Sequence, residues 1–294
     1  MERKPAIATG YPPAAVQLVQ AASLYIATKL GDLRDDFVIV GGLVPSLIVP
    51  QTDSPTGRPL HVGTMDVDLG LAIAILDEQR YHELCERLRS AGFQPDSNEV
   101  GRPTNQRWRI ESEGHTVTVD FLIPATLETD RGGALRNLEE GFAAIITPGL
   151  ELAFEDKRLV TLKGETLHHE QATREVWVCE AGAFTVLKAL AFEGRGENKD
   201  AYDLVYLLQN YGDGIDDVFQ RLQPLLKSPS AEQALQVLER DFAGIDSVGT
   251  KRVAEFLGDS QDETIRADAA GAVRSLLGLC QKMPSVAPGR TLLD

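Results

Sequence analysis

Apolar and polar residues alternate differently before and after about residue 179. In the first part, short apolar runs are separated by loops and by helical stretches with one apolar face. This pattern predicts helices over residues 12–30 and 76–91 and strands over residues 37–40, 66–73, 106–110 and 116–123, with further short strands within 143–160 and at 175–178. In the second part, apolar residues recur at helical spacing almost to the end. We therefore predict an α+β fold with two domains, residues 1–179 and an all-helical part over residues 180–294.

Two stretches are predicted to lack regular secondary structure. Residues 50–63 contain three prolines and two glycines, which predicts a loop, and its length is typical of a mobile flap beside a site. Residues 283–294 have no helical period and are expected to form a loose tail.

Charge and cysteine content narrow the possible functions. The chain has 294 residues and a formal net charge of −15, which argues against binding nucleic acid along an extended surface and would attract a cationic substrate. The three cysteines lack metal-ligand spacing, and neither a signal peptide nor a membrane span is evident. We expect a soluble, cytoplasmic protein without a membrane partner.

Candidate chemistry lies between residues 37 and 71. A buried strand ends at Gly41-Gly42, and the next strand carries Asp66 and Asp68 with one apolar residue between them. Residues i and i+2 of a strand share a face, so the two carboxylates should lie side by side, where a divalent cation would relieve their repulsion. Asp120, on a strand predicted to lie beside them, is a third candidate ligand. Mg²⁺ prefers such oxygen ligands and commonly binds substrate phosphates as well.

The order Gly41-Gly42, Asp66, Asp68 and Asp120 resembles the nucleotidyltransferase superfamily that shares the polymerase-β palm. The resemblance implies that Gly41, Gly42 and Thr64 bind an NTP. It also implies that Asp66, Asp68 and Asp120 hold two Mg²⁺ or Mn²⁺ ions. The chain departs from that pattern in the long interval between the glycines and Asp66.

The helical half extends the resemblance. Its segment LKALAFEGRGENKDAYDLVYLL resembles the corresponding segment of AbiEii-type toxins, a group that includes the MenT toxins. The residues that match are Lys188, Arg195, Lys199, Asp200 and Asp203. The resemblance implies a toxin that transfers an NMP to tRNA and is paired with a separately encoded antitoxin. It makes Lys188 a contact of the phosphates or the leaving pyrophosphate, and Asp203 would position Lys188 or a metal-bound water. Asp120 would also accept the proton of the attacking hydroxyl.

Each candidate also has a simpler interpretation. Lys188 could extend its ammonium group to solvent from an apolar helix. Asp200 and Asp203 could be exposed partners of Lys199 or Arg195. A cluster of three arginines could be an ordinary strand face or a phosphate-binding patch; its members are Arg102, Arg107 and Arg109. His61 is isolated in the sequence and is assigned no role.

Two other functions remain open. An acidic cleft would suit a small cationic acceptor, as in nucleotidyltransferases that modify aminoglycosides. A catalytically silent nucleotide-binding or interaction module would share the fold without the reaction. A basic surface leading to the aspartates would favour tRNA, and failure to bind Mg²⁺–NTP would favour the silent module.

Overall fold

A computed structural model describes residues 5–51, 59–72, 78–98, 100–112 and 114–282 of the chain. They form helices and one mixed β-sheet, in agreement with the predicted α+β class. The strands are β1 (Phe37–Val40), β2 (Asp66–Leu71), β3 (Gln94–Ser97), β4 (Pro103–Ser112), β5 (His115–Pro124), β6 (Leu135–Glu139), β7 (Phe142–Thr147), β8 (Lys157–Glu165) and β9 (Gln171–Cys179). The helices are α1 (Pro13–Lys29), α2 (Val44–Ile48), α3 (Glu78–Ser90), α4 (Leu152–Glu155), α5 (Ala181–Arg195), α6 (Asn198–Asn210), α7 (Ile215–Leu222), α8 (Pro229–Phe242), α9 (Val248–Phe256) and α10 (Glu263–Gln281).

The sheet places β2 at its centre. Its strand order is β3-β4-β5-β2-β1-β9-β8, and β7 pairs with the end of β5 and carries β6. Strand β2 runs antiparallel to β1 and parallel to β5. The strand that ends at the glycines and the two strands that carry the aspartates are therefore adjacent. The predicted neighbourhood of the two aspartate strands is confirmed.

Apolar packing fixes the register of β5. Val117, Val119, Phe121 and Ile123 alternate along the strand and are all fully buried. Phe121 contacts the rings of Trp108 on β4 and Phe142 on β7, with centroids 6.2 and 4.9 Å apart. A shift of one residue would move this whole set to the opposite face of the sheet. The aromatic cluster thus determines which face Asp120 occupies.

Several elements differ from the sequence prediction. The expected short strands near residues 160 and 175 are a long hairpin, β8 and β9, of nine residues each. Strands β3 and β6 were not predicted, because their short sequences lack a clear apolar period. Helix α7 was missed although its apolar residues recur at helical spacing. The helices from Ala181 onward follow the last strand as expected. Residues 52–58, within the predicted flap, and the predicted tail lie outside the described residues.

The helices that follow the sheet also contact it. Helix α5 contacts the turn Gly41–Leu43, and α6 contacts α2, the short helix that continues this turn. The elements after residue 179 are thereby brought against the glycine turn. In the described ranges, no helix is long and apolar enough to cross a membrane.

Candidate active site

Three aspartates converge at the centre of the sheet. Asp68 on β2 is directly opposite Asp120 on β5, and Asp66 lies two residues earlier on the same face. One carboxylate oxygen from each of the three lies within 4.8 Å of the others. Asp66 and Asp120 are buried, and Asp68 is half-buried. The predicted pairing of Asp120 with the two β2 aspartates is confirmed.

Arg107 binds one member of this triad. It lies opposite Asp120 on the neighbouring strand β4, and its Nε donates to Asp120 Oδ1 at 2.6 Å while Nη2 donates to Oδ2. The hydrogen bond to Asp120 raises the pKa of Arg107, so its charge is secure. The guanidinium offsets part of the negative charge of the three carboxylates. Arg107 is therefore part of the candidate site and not an ordinary exposed residue of the strand.

The other two arginines do not form a free basic patch. Arg109 lies 3.8 Å from Asp96 and 3.7 Å from Glu111, and Arg102 is exposed in the turn before β4. Carboxylates therefore offset the positive charge of Arg107 and Arg109. Phosphate binding by this cluster as a whole has little support.

The glycines are required by close approach to these aspartates. Gly41 has a φ of +70°, which a residue with a side chain rarely adopts, and a Cβ atom there would overlap the carboxylate of Asp68. A Cβ atom on Gly42 would lie 2.9 Å from Thr64 Oγ1. Thr64 Oγ1 in turn donates to Asp66 Oδ1 at 2.7 Å. The backbone of the glycine turn thus lies directly against the triad.

A second cluster of charged groups is buried between α5 and α6. Lys188 Nζ lies 2.8 Å from Asp200 Oδ1 and 2.8 Å from Asp203 Oδ2. The side chains of these three residues are at most 7% exposed. The alternatives in which Lys188 reaches solvent and the two aspartates are exposed are therefore wrong. A buried charge persists only when it is paired, and here each one is.

The pKa shifts in this cluster keep its members charged. Burial opposes the charge on Lys188, but the carboxylates of Asp200 and Asp203 outweigh burial and raise its pKa. Burial likewise opposes ionisation of the two aspartates, yet their pKa values are lowered because cations lie beside them.

Two further cations complete the cluster. Arg195 holds Asp200, with Nε 2.5 Å from Oδ2 and Nη2 2.8 Å from Oδ1, and its own side chain is half-exposed. Lys199 donates to Asp203 Oδ1. Three cations against two carboxylates leave one positive charge beside the negative triad. Adjacent charges of opposite sign suit a ligand that carries phosphates together with a metal ion.

His61 belongs to the same cluster, which corrects the expectation that it is isolated. Its side chain is fully buried, and Nε2 lies 2.9 Å from Asp203 Oδ1. Burial, with the charge of Lys199, lowers the pKa of His61 to about 4, so the imidazole is neutral at pH 7. Sequence reasoning missed it because no periodicity or spacing links residue 61 to residue 203.

Gly42 joins the triad and the buried cluster. A Cβ atom on Gly42 would lie between Thr64 Oγ1, at 2.9 Å, and Asp203 Oδ2, at 3.6 Å. Thr64 donates a hydrogen bond to Asp66, and Asp203 forms an ion pair with Lys188. All eight residues predicted for the site therefore lie close together around the glycine turn: Gly41, Gly42, Thr64, Asp66, Asp68, Asp120, Lys188 and Asp203.

The residues of the triad fit a hard divalent cation. Their donors are carboxylate oxygens, which Mg²⁺ and Mn²⁺ prefer, and neither a thiol nor an imidazole lies among them in the described ranges. The overlap of a Gly41 Cβ with Asp68 shows that the backbone leaves no room for a side chain at the edge of the triad. Both observations are in accord with a metal site packed against the glycine turn.

Comparisons with known proteins add no family assignment. No protein-family model matches the chain, and no curated protein is significantly similar to it.

Proposed function

We propose that the protein is a metal-dependent nucleotidyltransferase that moves an NMP from an NTP to an acceptor hydroxyl, on a palm like that of polymerase β. The observation that carries the proposal is the meeting of three carboxylates with a glycine turn and a buried lysine. The triad and the glycine turn are in contact, and the lysine cluster reaches the same turn at Gly42. A triphosphate with its metal ions requires these three features in one place.

Different residues of the site would bind the metal ions and the phosphates of the NTP. Asp66, Asp68 and Asp120 would hold Mg²⁺ or Mn²⁺, which neutralises phosphate charge and aligns the attacking and leaving oxygens. The backbone N–H groups of Gly41 and Gly42, beside the triad, would bind the β- and γ-phosphates.

Lys188 supplies a fixed positive charge for the leaving pyrophosphate. Its pKa is raised, so it stays protonated, and its two carboxylate partners hold Nζ in place before substrate binds. Asp203 Oδ2 accepts no hydrogen bond among the described residues, although Lys188 Nζ lies 2.8 Å from it. The ammonium group thus has hydrogen-bonding capacity left for a phosphate oxygen.

The hydrogen bonds from Arg107 help to decide whether Asp120 binds a metal ion or accepts a proton in the proposed reaction. Both oxygens of this carboxylate accept hydrogen bonds from the guanidinium. An oxygen that accepts one hydrogen bond has one lone pair left, which a metal ion would occupy, so that none would remain for the proton of the acceptor. We therefore assign Asp120 to metal binding in preference to removal of the proton from the acceptor.

Two acceptors are to be compared. The resemblance to AbiEii and MenT toxins supports a tRNA end, and with it a toxin held in check by an antitoxin protein. A small cationic acceptor is the second candidate, supported by the net charge of −15 and by the carboxylates that offset Arg107 and Arg109. In both cases the nucleotide half of the reaction is the same.

The test is transfer of label from each NTP in turn to total tRNA, with Mg²⁺ present. We expect label on tRNA with the unaltered protein and none with Asp66→Asn, which keeps the size of the side chain but loses its charge. Asp268→Asn, on the exposed face of α10, is the matched control and should transfer normally. Retained transfer by a folded Asp66→Asn protein would disprove the proposal. Transfer to an aminoglycoside but not to tRNA would select the second acceptor.

A further inference from the structure

The segment before the aspartate strand is attached to α6 by tyrosine side chains. Tyr206 Oη donates to the carbonyl oxygen of Pro59 at 3.0 Å, and Tyr202 Oη accepts from the N–H of Val62 at 3.1 Å. The ring of His61 contacts both tyrosine rings: it stacks on Tyr202 with centroids 5.5 Å apart, and its centroid lies 4.8 Å from that of Tyr206. Residues 59–64, which end at Thr64, are thus held on the helix that carries Asp200 and Asp203.

Hydrogen bonds define the protonation of His61. Nδ1 accepts from the backbone N–H of Gly63 at 3.1 Å and lies 2.8 Å from Ser46 Oγ. A ring nitrogen that accepts from a backbone N–H carries no proton, so the proton of the neutral imidazole is on Nε2. Nε2 therefore donates to Asp203 Oδ1, 2.9 Å away.

We infer that His61 is a positioning residue of the proposed nucleotide site, acting on Lys188 through Asp203. The inference rests on the proposed function. His61 and Lys199 both bind Oδ1 of Asp203, so Oδ2 is directed towards Lys188 and Gly42. Without the Nε2–H donor, Asp203 can rotate and offer both oxygens to the two lysines, which draws Lys188 away from the phosphates.

Two amide substitutions separate this role from simple filling of space. The amide nitrogen of His61→Gln reaches the place of Nε2 and can still donate to Asp203. That of His61→Asn reaches only the place of Nδ1 and leaves Asp203 Oδ1 without this donor. Loss of an orienting partner typically lowers activity by about 10- to 100-fold. We expect a loss of that size in kcat for His61→Asn, little change in the KM for NTP, and recovery to within about 3-fold in His61→Gln. His82→Asn, at an exposed histidine of α3, is the control.

A readout apart from activity is the ¹⁵N NMR spectrum of the histidine rings in the full chain. We expect His61 to remain neutral with its proton on Nε2 from pH 8 to pH 5.5. A proton on Nδ1, or a charged ring at pH 6.5, would overturn the inference whatever the activity.

The outcomes distinguish the two proposals. An unaltered protein that transfers no nucleotide to any acceptor ends the proposed function, and the role of His61 falls with it. An active protein in which His61→Asn is as fast as wild type, or His61→Gln as slow as His61→Asn, overturns the role of His61 alone. If His61→Asn does not fold, the activity of His61→Gln and the ring spectrum decide the question.

Discussion

Acidification should destabilise the protein through His61, by an amount that follows from its burial. The pKa of this imidazole is about 4 in the folded protein, against 6.5 for the free side chain, because burial and the charge of Lys199 oppose protonation. Between these two values the unfolded chain binds a proton that the folded protein does not. The stabilisation is therefore complete above pH 6.5 and is lost as the pH falls towards 4.

The size of this effect follows from the two pKa values. One pKa unit corresponds to about 1.4 kcal/mol, so the free energy of unfolding should fall by about 2 kcal/mol from pH 7 to pH 5 and by about 3 kcal/mol by pH 4. Carboxylates titrate in part of this range, so the quantity to follow is the difference between wild type and His61→Gln. Urea unfolding at pH 7, 6, 5 and 4 gives that difference, which should shrink by these amounts.

The matched control for this experiment is His82→Gln, which alters an exposed histidine on α3. Because the His82 side chain is 65% exposed, this substitution should change the free energy of unfolding by no more than about 0.5 kcal/mol. Wild-type and His61→Gln curves that run parallel from pH 7 to pH 4 would refute the reasoning, because they would show that His61 is protonated equally in both states.

Three other substitutions test the charges and the close contacts of the site. Asp68→Asn should raise the free energy of unfolding by about 1–2 kcal/mol in EDTA, because it relieves like-charge repulsion. It should also abolish the rise in Tm on adding Mn²⁺. A metal-dependent rise in Tm equal to that of wild type would contradict the metal site. Gly41→Ala should lower the free energy of unfolding by about 2 kcal/mol or more, because it combines strain at positive φ with an overlap with Asp68. Its control, Gly133→Ala, is also at positive φ but has open space for a Cβ atom, so it should lower the free energy of unfolding by less. Equal losses in the two variants would show that the overlap with Asp68 is relieved. Lys188→Met should lower the free energy of unfolding by about 3–5 kcal/mol in urea, because Asp200 and Asp203 lose one of the positive charges that neutralise them. Its control, Lys227→Met on the surface, should leave the free energy of unfolding almost unchanged. Equal stability of the two variants would mean that the buried ion pairs do not form.

The triad could be predicted from the sequence because strands have a simple period. Asp66 and Asp68 alternate with apolar residues on a buried strand, and Asp120 does so on the strand beside it, so in each strand the carboxylates share one face and the apolar residues the other. The glycine turn was found in the same way, since a pair of glycines follows a buried strand at Val40. In these places, local sequence and tertiary packing lead to the same structure.

Contacts between distant segments could not be predicted. His61 meets Asp203 across 142 positions of the chain, and Arg107 meets Asp120 only because the register of the β4–β5 hairpin places them opposite each other. Whether Lys188 is buried depends on the carboxylates of α6, which the period of its own helix does not reveal. The edge strands β3 and β6 were missed for a similar reason, since pairing with their neighbours and not their own sequence holds them in place.

The most direct test of the account is the position of Mn²⁺ in crystals grown with a non-hydrolysable NTP analogue, located by anomalous scattering. We predict a manganese peak within bonding distance of Asp66, Asp68 and Asp120, with the triphosphate against Gly41 and Gly42 and an oxygen of it beside Lys188. A triad without manganese, in crystals where the metal and the analogue are bound elsewhere, would contradict the central claim.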